Sequence, residues 1–259
     1  VALFLGKKAP EFHAGLALAK TFSTEPAPDK AIDWSGTVTV IPMLGNDTCG
    51  CCTIATSLHH QQFITNLNGA PEMPDASCCI DNYSRASGYD PATQANDNGL
   101  SLLAKNMFWM NDGFAISANG AFDKLDAFAQ IEEGDLDTLT RMLAIFGPQE
   151  LGVELPTGAD EEFYTGFWKD TSAAPGSLGG HDTLLVGVTA VRDWFRIATW
   201  NGYVMASRDW MLKYMSEGTA LLRRNWINKT TNLSPSGYSM QALDQLIQSQ
   251  RGILGLGAL

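Results

Sequence analysis

An α+β fold is predicted by three features of this 259-residue sequence. Apolar residues at helical spacing dominate the chain before residue 148, short β-branched and apolar runs dominate after it, and the two textures do not alternate as they would in βαβ units. Hydrophobic residues make up 45% and charged residues 17%, which describes a globular chain and excludes a disordered, collagenous or coiled-coil one. The balance of 17 Lys+Arg against 28 Asp+Glu gives a net charge of −11 and a pI near 4.7. With no basic run, the chain is not expected to bind nucleic acid or anionic membrane surfaces. No stretch of about 18 consecutive apolar residues occurs, so no membrane-spanning helix is expected.

Residues 1–32 mix apolar pieces (VALFLG, GLALA) with Lys, Pro and Glu and hold no firm period, as an extended arm would. The run TVTVI from Thr37 to Ile41 stops at Pro42 and predicts a short edge strand. A helix is predicted over 52–67, where Ile54, Ala55, Leu58, Gln62, Phe63 and Leu67 share a face and Asn68-Gly69 supplies the stop, with Cys52 in the first turn. Two more helices follow, LLAKNMFWMN ending at Gly113, and a segment capped by Asp135 that runs through Leu136, Leu139, Leu143 and Phe146 to Gly147-Pro148.

Beyond Pro148 the runs at 149–155, 183–190, 194–200 and 219–224 read as strands, broken by a Gly/Pro/Ser/Ala-rich loop from Thr171 to Gly180. A capped helix fits Ser207 to Glu217 and a last one Ser239 to Gln250, before the apolar tail GILGLGAL. The chain divides into an arm (1–32), a helical lobe with its first strand (33–147), a β-rich lobe (148–224) and a C-terminal helix with tail (225–259). Lys7, Lys8, Glu11 and Lys20 interrupt the first apolar stretch, which is unlike a signal peptide. Five cysteines in two clusters, Cys49, Cys51, Cys52, Cys78 and Cys79, are unlike a fully paired secreted framework. A cytosolic chain with at least one free thiol is the expectation.

The stretch DWSGTVTVIPMLGNDTCGCC, Asp33 to Cys52, resembles the start of the mature papain-like cysteine peptidases, through Asp33, Trp34, Val40 beside Pro42, Cys49, Gly50 and Cys52. Downstream, FYTGFWKD and GGHDTLLVGV are similar to the family's Tyr-x-Gly segment and its His-bearing strand, through Phe163, Tyr164, Gly166, His181, Val186 and Gly187. The resemblance spans about residues 33–222 and implies a two-lobed fold, with the Cys52 helix in a helical lobe and His181 in a strand-rich, barrel-like lobe. It implies Cys52 as nucleophile, His181 as acid/base, Asn46 in the place of the family's oxyanion-hole Gln, and a bridge from Cys49 to Cys78 or Cys79. Where the family carries Asn-Ser-Trp-Gly after the His strand, this chain reads IATWNG, so Thr199 or Asn201 is left to orient the imidazole and the shielding loop looks deleted. Thr53 replaces the family's Trp after the nucleophile, and 32 residues stand where the family has a long inhibitory segment.

The chemistry behind these positions is specific. A thiol attacks as thiolate, and a helix N-terminus lowers its pKa with unpaired N–H groups and the positive end of the dipole. An imidazole from another element takes the proton and returns it to the leaving amine. Asn46 is one methylene shorter than Gln, which would leave its amide about 1 to 1.5 Å short of an oxyanion. Other readings stand beside these. His181 on its residues alone also fits a half-buried structural histidine, while His59 and His60 read as packing or surface residues. Cys49 and Cys52 form a C-x-x-C without a thioredoxin-like βαβ context, and adjacent cysteines are poor chelators of one tetrahedral zinc ion.

Two functions follow. One is a cysteine hydrolase that cleaves a peptide or amide bond of a peptide or protein substrate through a Cys52 thioester, with no cofactor or metal. The other is a catalytically silent papain-fold subunit of a virus particle or other large complex, whose apolar termini cross onto protein partners or further copies of the chain. The corresponding locations are the cytoplasm or a particle assembled there.

Overall fold

The computed structural model describes residues 3–13, 28–118 and 120–255. Eight strands form one sheet: β1 (Ile32–Asp33), β2 (Ala127–Ile131), β3 (Gln149–Leu155), β4 (Phe167–Trp168), β5 (Gly179–Val188), β6 (Trp194–Thr199), β7 (Gly202–Ser207) and β8 (Met215–Leu222). The order is β2-β8-β3-β5-β6-β7-β4, with β1 paired to β5. Every pairing is antiparallel except β4 with β7. The helices are α1 (Cys52–Leu67), α2 (Ala76–Ser87), α3 (Leu102–Asn111), α4 (Leu136–Phe146), α5 (Ala159–Thr165), α6 (Arg208–Tyr214) and α7 (Met240–Ile253).

Side-chain caps start most helices. Asp75, Ser101, Asp135, Ser207 and Ser239 each accept a backbone N–H of the first turn, which satisfies donors that the helix cannot. Helix α1 is different: no side chain caps it, and every residue from Cys52 to Ile64 is buried. It is the central helix. Phe63 packs with Leu184, Val186 and Ala198 of the sheet, while Ile54, Ala55 and Leu58 join Tyr83, Trp109 and Phe114 in a helical core. The largest core lies between the sheet and α4, α6 and α7, where Leu139, Leu151, Trp168, Ile197, Trp210 and Ile247 meet.

The helices expected over 52–67, before Gly113 and after Asp135 lie at α1, α3 and α4. The expected strand at Thr37–Ile41 does not form. Ser35–Thr37 is a 3₁₀ turn, and the segment beyond it is fastened by side chains, the Tyr203 hydroxyl donating to the Val38 carbonyl and Gln62 to the Val40 carbonyl. The helix expected over Ser207–Glu217 ends at Tyr214, and Met215 begins β8, pairing with Val153. Helices α2 and α5 and strands β1, β2, β4 and β7 are additions to the sequence reading. The implied bridge from Cys49 to Cys78 or Cys79 is also corrected, since all five cysteines are buried free thiols. Of the apolar tail, Ile253 and Leu254 pack on the helical core, and residues 256–259, like 14–27 of the arm, lie outside the described residues.

Candidate active site

Cys52 opens α1 and is 1% exposed. Its thiol receives backbone hydrogen bonds from Asp182 on β5 and from Gly6 of the N-terminal arm. Burial, followed by the charge of Asp182, pushes the Cys52 pKa up to about 12, against the lowering effect of those bonds and of Lys7. The helix N-terminus alone therefore does not make a thiolate here, because desolvation of the sulfur outweighs it.

His181 lies on β5, next to Asp182, and is 1% exposed. Its Nε2 is 2.7 Å from the Thr199 hydroxyl, and Trp200 stacks on the ring at 4.7 Å between centroids and 24° between planes. Burial, with His59 and Lys7 adding to it, lowers the His181 pKa to about 3. Nδ1 has no hydrogen-bond partner among the described residues. Strand β6 ends at Thr199, and Trp200 takes a φ of 45°. That turn breaks the two-residue alternation expected to bring Asn201 to the imidazole, and Asn201 is exposed in the turn before β7. The deleted shielding loop has a substitute, since Trp200 covers the His181 ring from the position next to Thr199.

Asn46 is 2% exposed. Its side-chain amide donates to the Met43 carbonyl at 3.0 Å, and its backbone carbonyl accepts the Phe4 N–H at 2.7 Å. The other expected histidines are packed away. His59 Nε2 lies 2.8 Å from the Pro42 carbonyl, and burial lowers its pKa to about 4. His60 meets the Trp109 ring edge to face.

Sequence reasoning did not foresee what fills the cleft. Residues 4–8 run across it as a strap: the Gly6 carbonyl accepts the Leu100 N–H (2.8 Å), the Lys7 N–H donates to the Gly180 carbonyl (3.2 Å) and the Lys8 N–H to the Leu100 carbonyl (3.0 Å). Close approach requires glycine on both sides, because a Cβ on Gly6 would stand 1.7 Å from the Gly50 carbonyl oxygen and one on Gly180 2.5 Å from that of Lys7. Nor does a motif announce the buried charges around Asp182. Lys105 pairs with Glu150, Asn106 donates to Glu150 at 2.7 Å, and Asp182 is held well above the usual carboxylate range by burial first and Glu150 second. The Lys7-Lys8 pair interrupting an apolar stretch was the one available signal of the strap.

No protein-family model matches the sequence, and no curated protein does. Solved structures match over most of the chain. Xylellain, a cysteine protease from Xylella fastidiosa, aligns with a TM-score of 0.61 at 14% identity, covering 85% of this chain and 96% of that one. Digestive procathepsin L 3 of Tenebrio molitor larval midgut aligns with a TM-score of 0.59 at 15% identity, over 84% and 75% of the two chains. The Carica candamarcensis cysteine protease CMS1MS2, solved in complex with E-64, gives 0.52 at 17% identity over 74% and 97%. The chain thus has the papain-like fold, with the Cys52 helix in a helical lobe and His181 in an antiparallel sheet.

Proposed function

We propose that the chain is a cysteine hydrolase of peptide or amide bonds. The observation that carries this reading is the papain-like fold with a thiol, Cys52, at the start of α1 and, on β5, a histidine whose Nε2 is held by Thr199 and whose Nδ1 has no partner among the described residues. In the reaction, the Cys52 proton passes to His181 Nδ1 and the sulfur attacks the carbonyl carbon, so the carbonyl π pair moves to oxygen. Collapse of the tetrahedral intermediate breaks the C–N bond, and the amine leaves with the proton from the imidazolium. Water then attacks the thioester, giving its proton to His181, which returns it to the departing sulfur. The E-64 complex of the Carica protease, a peptide-like inhibitor bound on the same fold, agrees with a peptide substrate.

A second reading is favoured by one observation, the burial that holds Cys52 as a neutral thiol beneath the strap. In that reading the fold is catalytically silent and works as a building block. Iodoacetamide alkylation of Cys52, mapped by mass spectrometry from pH 4 to 9, separates the two. The full chain is compared with Gly6→Val, whose strap cannot seat against Gly50, and with Gly6→Val combined with His181→Ala. A hydrolase gives fast alkylation in Gly6→Val that persists below about pH 6 and is lost with His181→Ala. A rate that follows an ordinary thiol near pH 8.5 with or without His181 would establish the silent reading.

A further inference from the structure

The strap binds in two ways. Its main-chain bonds to Leu100 and Gly180 are indifferent to side-chain identity, so any extended peptide could make them. Side-chain selection is concentrated one residue from the Gly6 amide that touches Cys52. There the Lys7 side chain is fully buried, its Nζ 3.0 Å from Glu154 Oε1 and 3.4 Å from Glu217 Oε1. Gly152 opens the recess, because a Cβ there would stand 2.7 Å from both Lys7 Cε and Glu217 Cγ. Glu217 is 1% exposed and its Oε1 has no hydrogen bond among the described residues, only the approach of Nζ. Past Lys7 the recess continues into a groove of about 430 Å³ beside Glu154, Pro175 and Ser216.

Two carboxylates around one ammonium form a site that is unfavourable when empty and selective for a cation when filled. A buried carboxylate without a partner carries its full desolvation cost. An apolar side chain of the same length would leave Glu217 in that state, and an acidic one would add a third negative charge. The geometry points to the Gly152–Glu154–Glu217 recess as the specificity pocket of the cleft, taking a lysine or arginine side chain of a peptide substrate, with Lys7 as its internal occupant. Burial pushes the Glu217 pKa up to about 7, with the Lys7 ammonium acting against that rise by favouring the ionised carboxylate.

This assignment deepens the hydrolase reading and rests on it for the word substrate, but binding and turnover test the two separately. The strap is displaced in the full chain by Gly6→Val, with Lys7→Glu as a second opening variant in case the first folds poorly. Labelled heptapeptides of sequence Leu-Phe-Leu-Gly-Xaa-Lys-Ala, with Lys, Arg, Leu or Glu at Xaa, are titrated by fluorescence anisotropy. The same four residues are placed in fluorogenic peptides to read turnover. The expected result is tenfold or tighter binding for Lys and Arg than for Leu and Glu, collapsing to less than threefold with Glu217→Gln added and weakened with Glu154→Gln. Equal binding across the four peptides, or a basic preference untouched by Glu217→Gln, overturns the pocket. A basic preference without hydrolysis of any peptide leaves the pocket standing and overturns the hydrolase reading.

Discussion

At the scale of single residues, the imidazole is the best-determined group in the cleft. Among the described residues Thr199 supplies its hydrogen bond and Trp200 fixes its plane, so the ring has little freedom left. Thr199→Val keeps the shape and removes the hydroxyl, leaving a buried ring nitrogen without a partner. The expected loss of stability is about 1 to 3 kcal/mol, read as a lower urea midpoint, and Thr199→Ser should restore most of it. A Thr199→Val midpoint equal to wild type would show that the hydroxyl does not hold the ring. The same substitution should flatten the acid limb of Cys52 alkylation in the opened chain, a change that a merely structural hydroxyl would not produce.

At the scale of elements, the strap and the central helix account for most of the cleft. The Leu100 amide is bonded by the Gly6 carbonyl, so its hydrogen exchange should be slow in the full chain and faster by tenfold or more in Gly6→Val; equal rates would mean that the strap does not close the cleft in solution. Helix α1 was legible because its apolar spacing and its Asn68-Gly69 stop agree, and α4 because Asp135 is both a cap and the boundary of a periodic run. Helix α2 escaped notice since its buried face, Cys78, Cys79, Asn82 and Tyr83, carries two cysteines, a tyrosine and a polar Asn rather than the aliphatic residues that mark a helical stripe. Strand β8 was cut short because Met215 and Glu217 lie on a sequence that also suits a helix, and only pairing with β3 decides between them. Cys52 and His181 were visible through motif spacing, whereas Lys7, Glu217 and Asp182 converge from three distant parts of the chain, and no local pattern encodes a meeting of that kind.

At the scale of the molecule, buried titratable groups set how stability depends on pH. His59 and His181 have folded-state pKa values lowered to about 4 and about 3, chiefly by burial, against about 6.5 in an unfolded chain. Below pH 6.5 the unfolded chain takes up protons that the folded one refuses, so stability present above 6.5 is lost as pH falls toward 4 and 3. Glu217 acts in the opposite sense: raised to about 7 by burial, it favours the folded state fully below about pH 4.5 and loses that contribution as pH rises through 7. Urea midpoints from pH 3.5 to 8 should therefore peak at about pH 7, with His59→Gln flattening the acid side. A midpoint that climbs steadily below pH 5 would contradict buried neutral imidazoles. The strap has a consequence on the same scale, because it is covalently joined to the body whose cleft it fills. A ligand tethered within its own chain commonly acts at an effective concentration on the order of millimolar, and diluting the protein does not weaken it. A free peptide must outcompete that internal ligand, so its apparent Kd equals its intrinsic Kd divided by the fraction of molecules with the strap out. Affinities measured on the native chain would then report the opening equilibrium of the strap, and a weak apparent Kd could conceal a tight cleft.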